Sequence, residues 1–308
     1  MSQFLAKRFL QALFVVLAVT LIVFWAIRLS GDPTALMLGD GAGSITAEEL
    51  ADLRARLGVD QPFWVQFQTY VFNVFQGDLG TSFYTKMPVA DMVIEALPET
   101  LLLAVLALLL SVVISLPAGI YAAVNKGRWP DQLLRVISLI GLSFPNFWLG
   151  LIFVLIFSVT LGWLPASGNE GLSSLILPTV TLGLILATTN IRLVRTTMLD
   201  TLGSQYITVA RGKGVNEKVV LYKHALRNCA IPLITYLGLQ FGNLMGGVVI
   251  IEQVFARPGM GSLAFDAIAQ RDFPVLQGSV IALALIVILV NLTVDILYGV
   301  LDPRIREE

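Results

Sequence analysis

The only histidine of the chain, His224, lies in a short stretch rich in basic residues, "ARGKGVNEKVVLYKHALRN" at positions 210–228. Histidine can act as a general base or a metal ligand, but His224 has no cluster of Cys, Asp or Glu at metal-ligand spacing near it. The "GKG" at 212–214 lacks the hydroxyl residue and the earlier glycine of a nucleotide-binding P-loop. We therefore predict no catalytic residue, no metal site and no bound cofactor, and expect any ATP hydrolysis to occur in partner subunits.

The same stretch is built like a short amphipathic helix that follows a bend. Asn216 can cap a helix that begins at Glu217, and apolar and basic side chains then alternate between its two sides. Gly212 and Gly214 permit a sharp bend before that helix. The basic residues could rest on anionic lipid, whereas a capped helix on a glycine hinge favours insertion into a groove on a partner protein.

The elements that flank this stretch are apolar enough to lie in a bilayer. Hydrophobic residues make up 56% of the 308 residues and charged residues only 13%. A spanning helix needs about 20 mostly apolar residues, because lipid offers its backbone no hydrogen-bond partner. The sequence therefore predicts an all-α integral membrane protein with six transmembrane helices, at about 9–29, 100–124, 133–160, 172–194, 229–251 and 278–300.

The distribution of charge predicts the orientation of these helices. If the N-terminus is cytoplasmic, both tails and loops 125–132 and 195–228 lie inside with flanking residues, and that side holds 14 of the 20 Lys and Arg residues. The opposite side, chiefly loop 30–99, holds 14 of the 21 Asp and Glu residues. Because Lys and Arg near helix ends stay in the cytoplasm, we predict that both termini are cytoplasmic.

The long loop after the first helix is predicted to form an outward extension. We divide the chain into the tail and first helix (1–29), the extension (30–96), a membrane core (97–301) and a cytoplasmic tail (302–308). Within the extension, "TAEELADLRARLG" and "QPFWVQFQTYVFNVFQG" each have the periodicity of an amphipathic helix. The aromatic second helix could cover the spanning helices or receive a partner or substrate.

Neutral polar residues inside the predicted spans are candidates for lining a path for a polar solute: Asn146, Asn190, Gln240 and Asn243. Gln240 and Asn243 are three residues apart and should lie near one another on a helix face. Neutral polar side chains in membranes also form hydrogen bonds between helices, and that alternative stays open for each.

The fifth span carries a stripe of glycines at helical spacing, Gly238, Gly242 and Gly246. A helix surface without side chains allows another helix to approach closely. The spacing predicts helix packing on this face but leaves open whether the neighbour belongs to the same chain or to a second subunit.

Several motifs resemble those of bacterial ABC importer permeases, in the branch for dipeptides, oligopeptides, nickel and glutathione. The basic loop is similar to that branch's "YITVARGKGV" and "HALRN", followed by "IP". Seven more motifs follow in order: "SGDPT", "LGVDQP", "GDLGTS", "SFPNFWLG", "LGWLPASG", "VFARPGMG" and "DILYGVLDPR". In the superfamily's general coupling-loop signature, Ala210, Gly214 and Leu226 match, whereas the expected Glu, Ile and Pro are absent.

The resemblance implies a type I ABC importer permease fold, with residues 199–228 as the coupling loop of the core. It also implies a bacterial inner-membrane assembly of two homologous permeases, two ATP-binding cassette ATPases and a periplasmic or lipid-anchored solute-binding protein. Ala210, Gly214 and Leu226, with the cap Asn216, would belong to the loop that docks into the ATPase. The solute would be a di- or oligopeptide or a peptide-like solute such as glutathione; nickel or another small solute is the alternative.

Two other function classes were weighed against this one. A secondary transporter or channel that works without an ATPase would need ionisable groups in the spans, and only Asp295 lies clearly inside a predicted span. A membrane-anchored sensor or scaffold would depend on the extension rather than on the coupling loop. Both are less well supported by the sequence than an importer permease.

Overall fold

The computed structural model describes residues 2–29, 54 and 60–301. Within these ranges the chain is mostly helical, and the β-structure is a single isolated antiparallel bridge between Thr81 and Pro88. The longer helices are α1 (Ser2–Leu29), α2 (Phe63–Phe75), α3 (Val89–Val124), α4 (Trp129–Ser143), α5 (Asn146–Phe153), α6 (Ser173–Leu202), α7 (Gln205–Gly212), α9 (Leu226–Val254), α10 (Met260–Gln270) and α11 (Phe273–Leu301). A single turn, α8 (Glu217–Val219), and two π-helical segments, Val154–Thr160 and Val220–Ala225, complete the described elements.

The described residues contain five helices that are long and apolar enough to cross a membrane, in α1, α3, α6, α9 and α11. The predicted third span is instead a broken pair, α4 and the α5 region, bent by 101°. The break has a local cause: Pro145 disfavours helical backbone at the preceding residue, and Phe144 is extended, with φ −89° and ψ 132°. With this pair counted as one span, the prediction of six transmembrane helices is confirmed.

Helix α3 begins at Val89, well before the predicted span at 100–124. Its 36 residues make it about 54 Å long, compared with a hydrocarbon core of about 30 Å. The additional turns bury Val89, Val93 and Ala96 in a cluster with Met260 and other residues of α10 and α11. Tertiary packing therefore extends the helix through Pro98, where the sequence alone predicts a boundary.

By its contacts, the chain divides into two compact units. Unit 1 comprises residues 1–99 and 258–288, and unit 2 comprises 100–257 and 289–308. The domain limits predicted at 29/30, 96/97 and 301/302 stay a prediction. The predicted helix at 46–58 and the tail at 302–308 lie outside the described residues, except for Arg54.

In unit 1, an aromatic cluster joins α1 to α2. The buried Phe24 ring contacts Phe63, Phe67 and Tyr70, with ring centroids 5.4–5.6 Å apart. Arg28 lies over the same ring, 4.1 Å from its centroid, and its Nε donates to Gln66 Oε1 at 2.9 Å. One aromatic face of α2 is thus packed, while Trp64, Phe72 and Phe75 are exposed.

In unit 2, helices α3, α4 and α6 cross at small residues. A Cβ atom added to Gly119 of α3 would lie 2.6 Å from Cβ of Val194 on α6, and one added to Gly183 of α6 would lie 2.8 Å from Leu110 of α3. These crossings leave no room for a side chain, so the helix backbones approach closely. Below the crossing, a buried cluster includes Ile120, Val194, Met198, Ala225 and Cys229.

Candidate docking surface and polar residues of the spans

The basic stretch forms a helical hairpin between the end of α6 and the start of α9. Helix α7 runs from Gln205 to Gly212, and α8 begins at Glu217, so residues 213–216 form the turn. Gly214 has φ +77°, a left-handed conformation that glycine adopts without strain. The predicted cap is present: Asn216 Oδ1 accepts from the backbone N–H of Lys218 at 2.9 Å.

A paired ion bridge closes the hairpin. Arg211 donates through Nε to Glu217 Oε2 at 3.1 Å and through Nη2 to Oε1 at 2.6 Å. This hydrogen bonding lowers the pKa of Glu217 and raises that of Arg211. Because the two side chains are 55% and 43% exposed, the pair contributes at most about 1 kcal/mol. Its main effect is geometric, since it fixes α7 relative to α8.

Buried side chains hold the hairpin against unit 2. Ile207, Val220 and Ala225 have no exposed surface. Ala225 belongs to the cluster that includes Val194 of α6, and the π-helical segment Val220–Ala225 contacts α6 directly. Asn228 also donates a hydrogen bond to the Tyr206 hydroxyl. The hairpin is therefore attached to the ends of α6 and α9.

The opposite side of the hairpin presents apolar side chains among basic ones. Val209, Val219 and Tyr222 are exposed, and the basic side chains of Lys213 and Lys218 are exposed near them. Such a mixed patch on a fixed helical element is typical of a protein-binding surface. We call the exposed face of residues 205–223 the docking surface.

The predicted coupling residues occupy different parts of this hairpin. Gly214 and Asn216 are exposed in the turn, and Ala210 is half-buried at the end of α7. Leu226 lies at the start of α9 and packs against the buried cluster rather than on the docking surface. His224 is half-buried, at the edge of the docking surface.

The structure separates the four candidate path residues by environment. Asn190 is fully buried and donates from Nδ2 to Ser111 Oγ at 3.2 Å, an interhelical hydrogen bond between α6 and α3. Asn146 is half-buried, Gln240 is buried, and Asn243 is exposed. Gln240 and Asn243 therefore do not share one environment, although they lie three residues apart on α9.

The glycine stripe of α9 also changes environment along its length. Gly238 is buried, Gly242 is half-buried and Gly246 is exposed. A Cβ added to Gly246 would meet no atom within 4 Å, whereas one added to the adjacent Gly247 would lie 3.3 Å from Asn146 Nδ2. Within this chain, the close approach to α9 therefore occurs at Gly247, and the surface at Gly246 is open to another chain.

Sequence reasoning missed three charged groups that the fold buries. Asp131 of α4 pairs with Arg195 of α6, and Oδ1 lies 2.5 Å from Nε. Glu252, inside the fifth spanning helix, accepts from Thr100 Oγ1 at 2.6 Å, so Asp295 is not alone in being ionisable within a span. Arg257 is buried and donates to Asn169 Oδ1 at 2.6 Å. The members of each contact are distant in sequence, which is why spacing did not reveal them.

Comparison with known proteins identifies relatives over the whole chain. The family described as "Binding-protein-dependent transport system inner membrane component" matches residues 115–307, and the N-terminal family of the same system matches residues 1–104. The glutathione transport system permease protein GsiC of Escherichia coli (strain K12) is 41% identical over 307 residues, covering 99% of both chains. The protein of the same name from Salmonella typhimurium is 42% identical over the same length.

A solved structure has a similar fold. A chain of the MetNI methionine ABC transporter, in an inward-facing conformation, aligns with a TM-score of 0.55 and 19% identity. The alignment covers 68% of this chain and 96% of the other.

Proposed function

The chain belongs to the family of binding-protein-dependent transport system inner membrane components, and from this premise we propose that it imports a peptide-like solute such as glutathione. It is a membrane-spanning permease subunit of an ABC importer, with the type I permease fold. The solute assignment is supported by 41% identity over 99% of the chain to a permease named for glutathione transport.

We infer that the hairpin at 205–225 is where the ATPase docks. One observation carries this assignment: the hairpin's outer face exposes Val209, Val219 and Tyr222, while its inner face is buried against the ends of α6 and α9. A partner that displaces the docking surface would thus move two spanning helices together. The turn at Gly214 and the Arg211–Glu217 bridge keep the hairpin rigid enough to transmit that displacement.

The same bundle would carry the movement to other helices. Asp131 joins α4 to α6 through Arg195, and Asn190 joins α6 to α3 through Ser111. We infer that these contacts make α3, α4, α6 and α9 respond as a group when ATPase subunits close, exposing the path first to one side of the membrane and then to the other. This chain supplies helices, contacts and polar surface, and ATP hydrolysis would belong to the partners.

We propose a full assembly of two homologous permeases, two ATPases and a solute-binding protein in the bacterial inner membrane. Both termini and the docking surface would be cytoplasmic, which is supported by the excess of Lys and Arg in those segments. The open surface at Gly246 fits contact with the second permease, because small residues permit close approach of helices.

Uptake by the reconstituted assembly tests the docking role. We expect Gly214→Asp to abolish ATP-driven uptake of labelled glutathione into proteoliposomes, because it adds a charge and backbone strain at the turn. Ala210→Glu should have the same effect. Both variants should still insert and assemble at wild-type levels.

A matched control separates docking from general strain. Gly162 also has positive φ (+64°) and open space around its Cβ position, but it lies between α5 and α6. Gly162→Asp should transport normally. Wild-type uptake by Gly214→Asp, or equal loss in Gly162→Asp, would contradict the docking role. Competition with unlabelled dipeptides against glutathione tests the solute separately.

A further inference from the structure

Unit 1 contains a groove that is not part of the docking surface or of the candidate solute path. It lies between α1, α10 and α11 and has a volume of about 550 Å³. Its lining is apolar except for one guanidinium, and it includes Ile22, Ile27, Phe273, Leu276, Val280 and Arg271. Its size is within the range of small-molecule sites, about 300–1,000 Å³.

The walls of the groove are parts of membrane-spanning helices. The segments Leu10–Leu29 of α1 and Phe273–Thr293 of α11 are both long and apolar enough to cross a bilayer. An apolar groove between such segments is accessible to lipid acyl chains, which need no hydrogen-bond partner. Ile22 is exposed and Leu276 is half-buried, so the groove has both an open side and a wall.

Arg271 places a positive charge on the edge of this groove. It caps the C-terminal end of α10 with φ 55° and ψ 34°, a left-handed position where glycine is favoured over any side chain. Keeping arginine there retains a guanidinium at the cost of some backbone strain. Among the described residues, no carboxylate lies within salt-bridge distance of Arg271.

The adjacent carboxylate is committed to other contacts. Asp272 is buried, accepts from Ser82 Oγ at 2.5 Å, and also accepts from the backbone N–H of Phe83 at 3.1 Å. It therefore faces away from the groove residues and holds the loop before α3. The Arg271 guanidinium is left as the polar group of the groove, and guanidinium is well suited to binding phosphate.

We propose that this groove binds an anionic phospholipid from the leaflet at the C-terminal end of α1. The phosphate would contact Arg271, and an acyl chain would lie along Ile22, Leu276 and Val280. The combination of one cation with an apolar trough between spanning helices matches a lipid headgroup joined to its chain, and neither feature alone would select one.

Titration of phospholipid onto the delipidated assembly tests this proposal. The full-length chain, purified with its partner subunits, would be titrated with dioleoylphosphatidylglycerol and the bound lipid counted by native mass spectrometry. We expect Arg271→Gly to weaken binding about 5-fold, the equivalent of about 1 kcal/mol for one basic residue near a lipid surface. Because glycine suits the left-handed position, this variant should fold at least as well as the wild type. Arg271→Lys should retain most of the binding.

Two further variants make the result specific. Lys86 is an exposed cation that also has positive φ (61°) but does not line the groove, so Lys86→Gly should leave lipid binding unchanged. Ala26→Trp, which fills the groove, should reduce binding with Arg271 intact. Inorganic phosphate at millimolar concentration should not compete, because it lacks the acyl chain.

Several outcomes would overturn the proposal. Unchanged lipid binding in Arg271→Gly would remove the role of the guanidinium, and equal loss in Lys86→Gly would reduce it to non-specific charge. Competition by inorganic phosphate would indicate an anion site without a lipid. A photocrosslinker at Ile22 should label phospholipid, and labelling of the second permease instead would assign the groove to a subunit interface.

Discussion

Replacing Asp131 with asparagine is expected to destabilise unit 2 by about 3–5 kcal/mol, because it leaves a buried guanidinium without its counter-charge. The Asp131 side chain is 1% exposed and that of Arg195 19% exposed. The carboxylate accepts from Arg195 Nε at 2.5 Å, from Arg195 Nη2 at 2.8 Å and from the backbone N–H of Gly127 at 2.9 Å. Asparagine has nearly the same shape, so the change isolates the charge.

The double variant Asp131→Leu with Arg195→Met provides the thermodynamic comparison. Apolar side chains of similar volume often replace a buried ion pair at little cost, so we expect the double variant to lie within about 1 kcal/mol of the wild type. The coupling between the two sites would then be at least about 2 kcal/mol, as measured by a double-mutant cycle.

The assay uses the only cysteine of the chain. Cys229 is 1% exposed and lies in unit 2, so a thiol-reactive fluorophore labels it only when the helices open. Labelling rates across a denaturant series give the free energy of opening for each variant. Asp200→Asn serves as the matched control, since Asp200 is exposed on the same helix as Arg195.

The reasoning would be refuted by either of two results. Loss of less than about 1 kcal/mol in Asp131→Asn would mean that solvent screens the pair despite its burial. A double variant as unstable as Asp131→Asn would mean that the site needs polar contacts rather than charge balance.

Three further predictions follow from described contacts. Because Arg211 lowers the pKa of Glu217 below its ordinary value of 4.5, the bridge stabilises the hairpin above that pH and is lost on acidification, so amide exchange of the turn should be constant from pH 5 to 8 and rise below about 4.5. Asp272→Asn should loosen the loop before α3, detected as faster tryptic cleavage after the exposed Lys86, whereas equal cleavage rates would show that the loop holds itself. Gly119→Leu should cost about 1–3 kcal/mol by overpacking the helix crossing, measured with the same cysteine assay, and a neutral result would mean that the crossing can widen.

Local chemistry explains which parts of the fold were predictable from sequence. The spans follow from continuous apolar runs, and the cap at Asn216 follows from a residue type that bonds its own neighbourhood. The bend at Pro145 was visible as a residue but not as an angle, since 101° depends on the neighbouring helices as well. Helix α3 passes through Pro98 because distant residues of α10 and α11 pack against its first turns.

The candidate site was only partly predictable for the same reason. The exposed turn at Gly214 and Asn216 was found because its signals are local. Leu226 was placed in the docking loop by motif, yet its side chain packs on the buried cluster, a contact that depends on α3 and α6. The Asp131–Arg195 pair joins residues 64 positions apart, and no pattern within either segment marks the other as its partner.

The burial of Val220 and Ala225 has a thermodynamic consequence for the whole importer. If the hairpin and the ends of α6 and α9 move together, a protein bound at the docking surface shifts the helix equilibrium only by its difference in affinity between the two arrangements. Linkage then requires the reverse effect at equal strength. A solute-loaded binding protein that favours one arrangement tenfold must change the affinity for the ATPase tenfold, so about 1.4 kcal/mol at either face of the membrane is felt at the other.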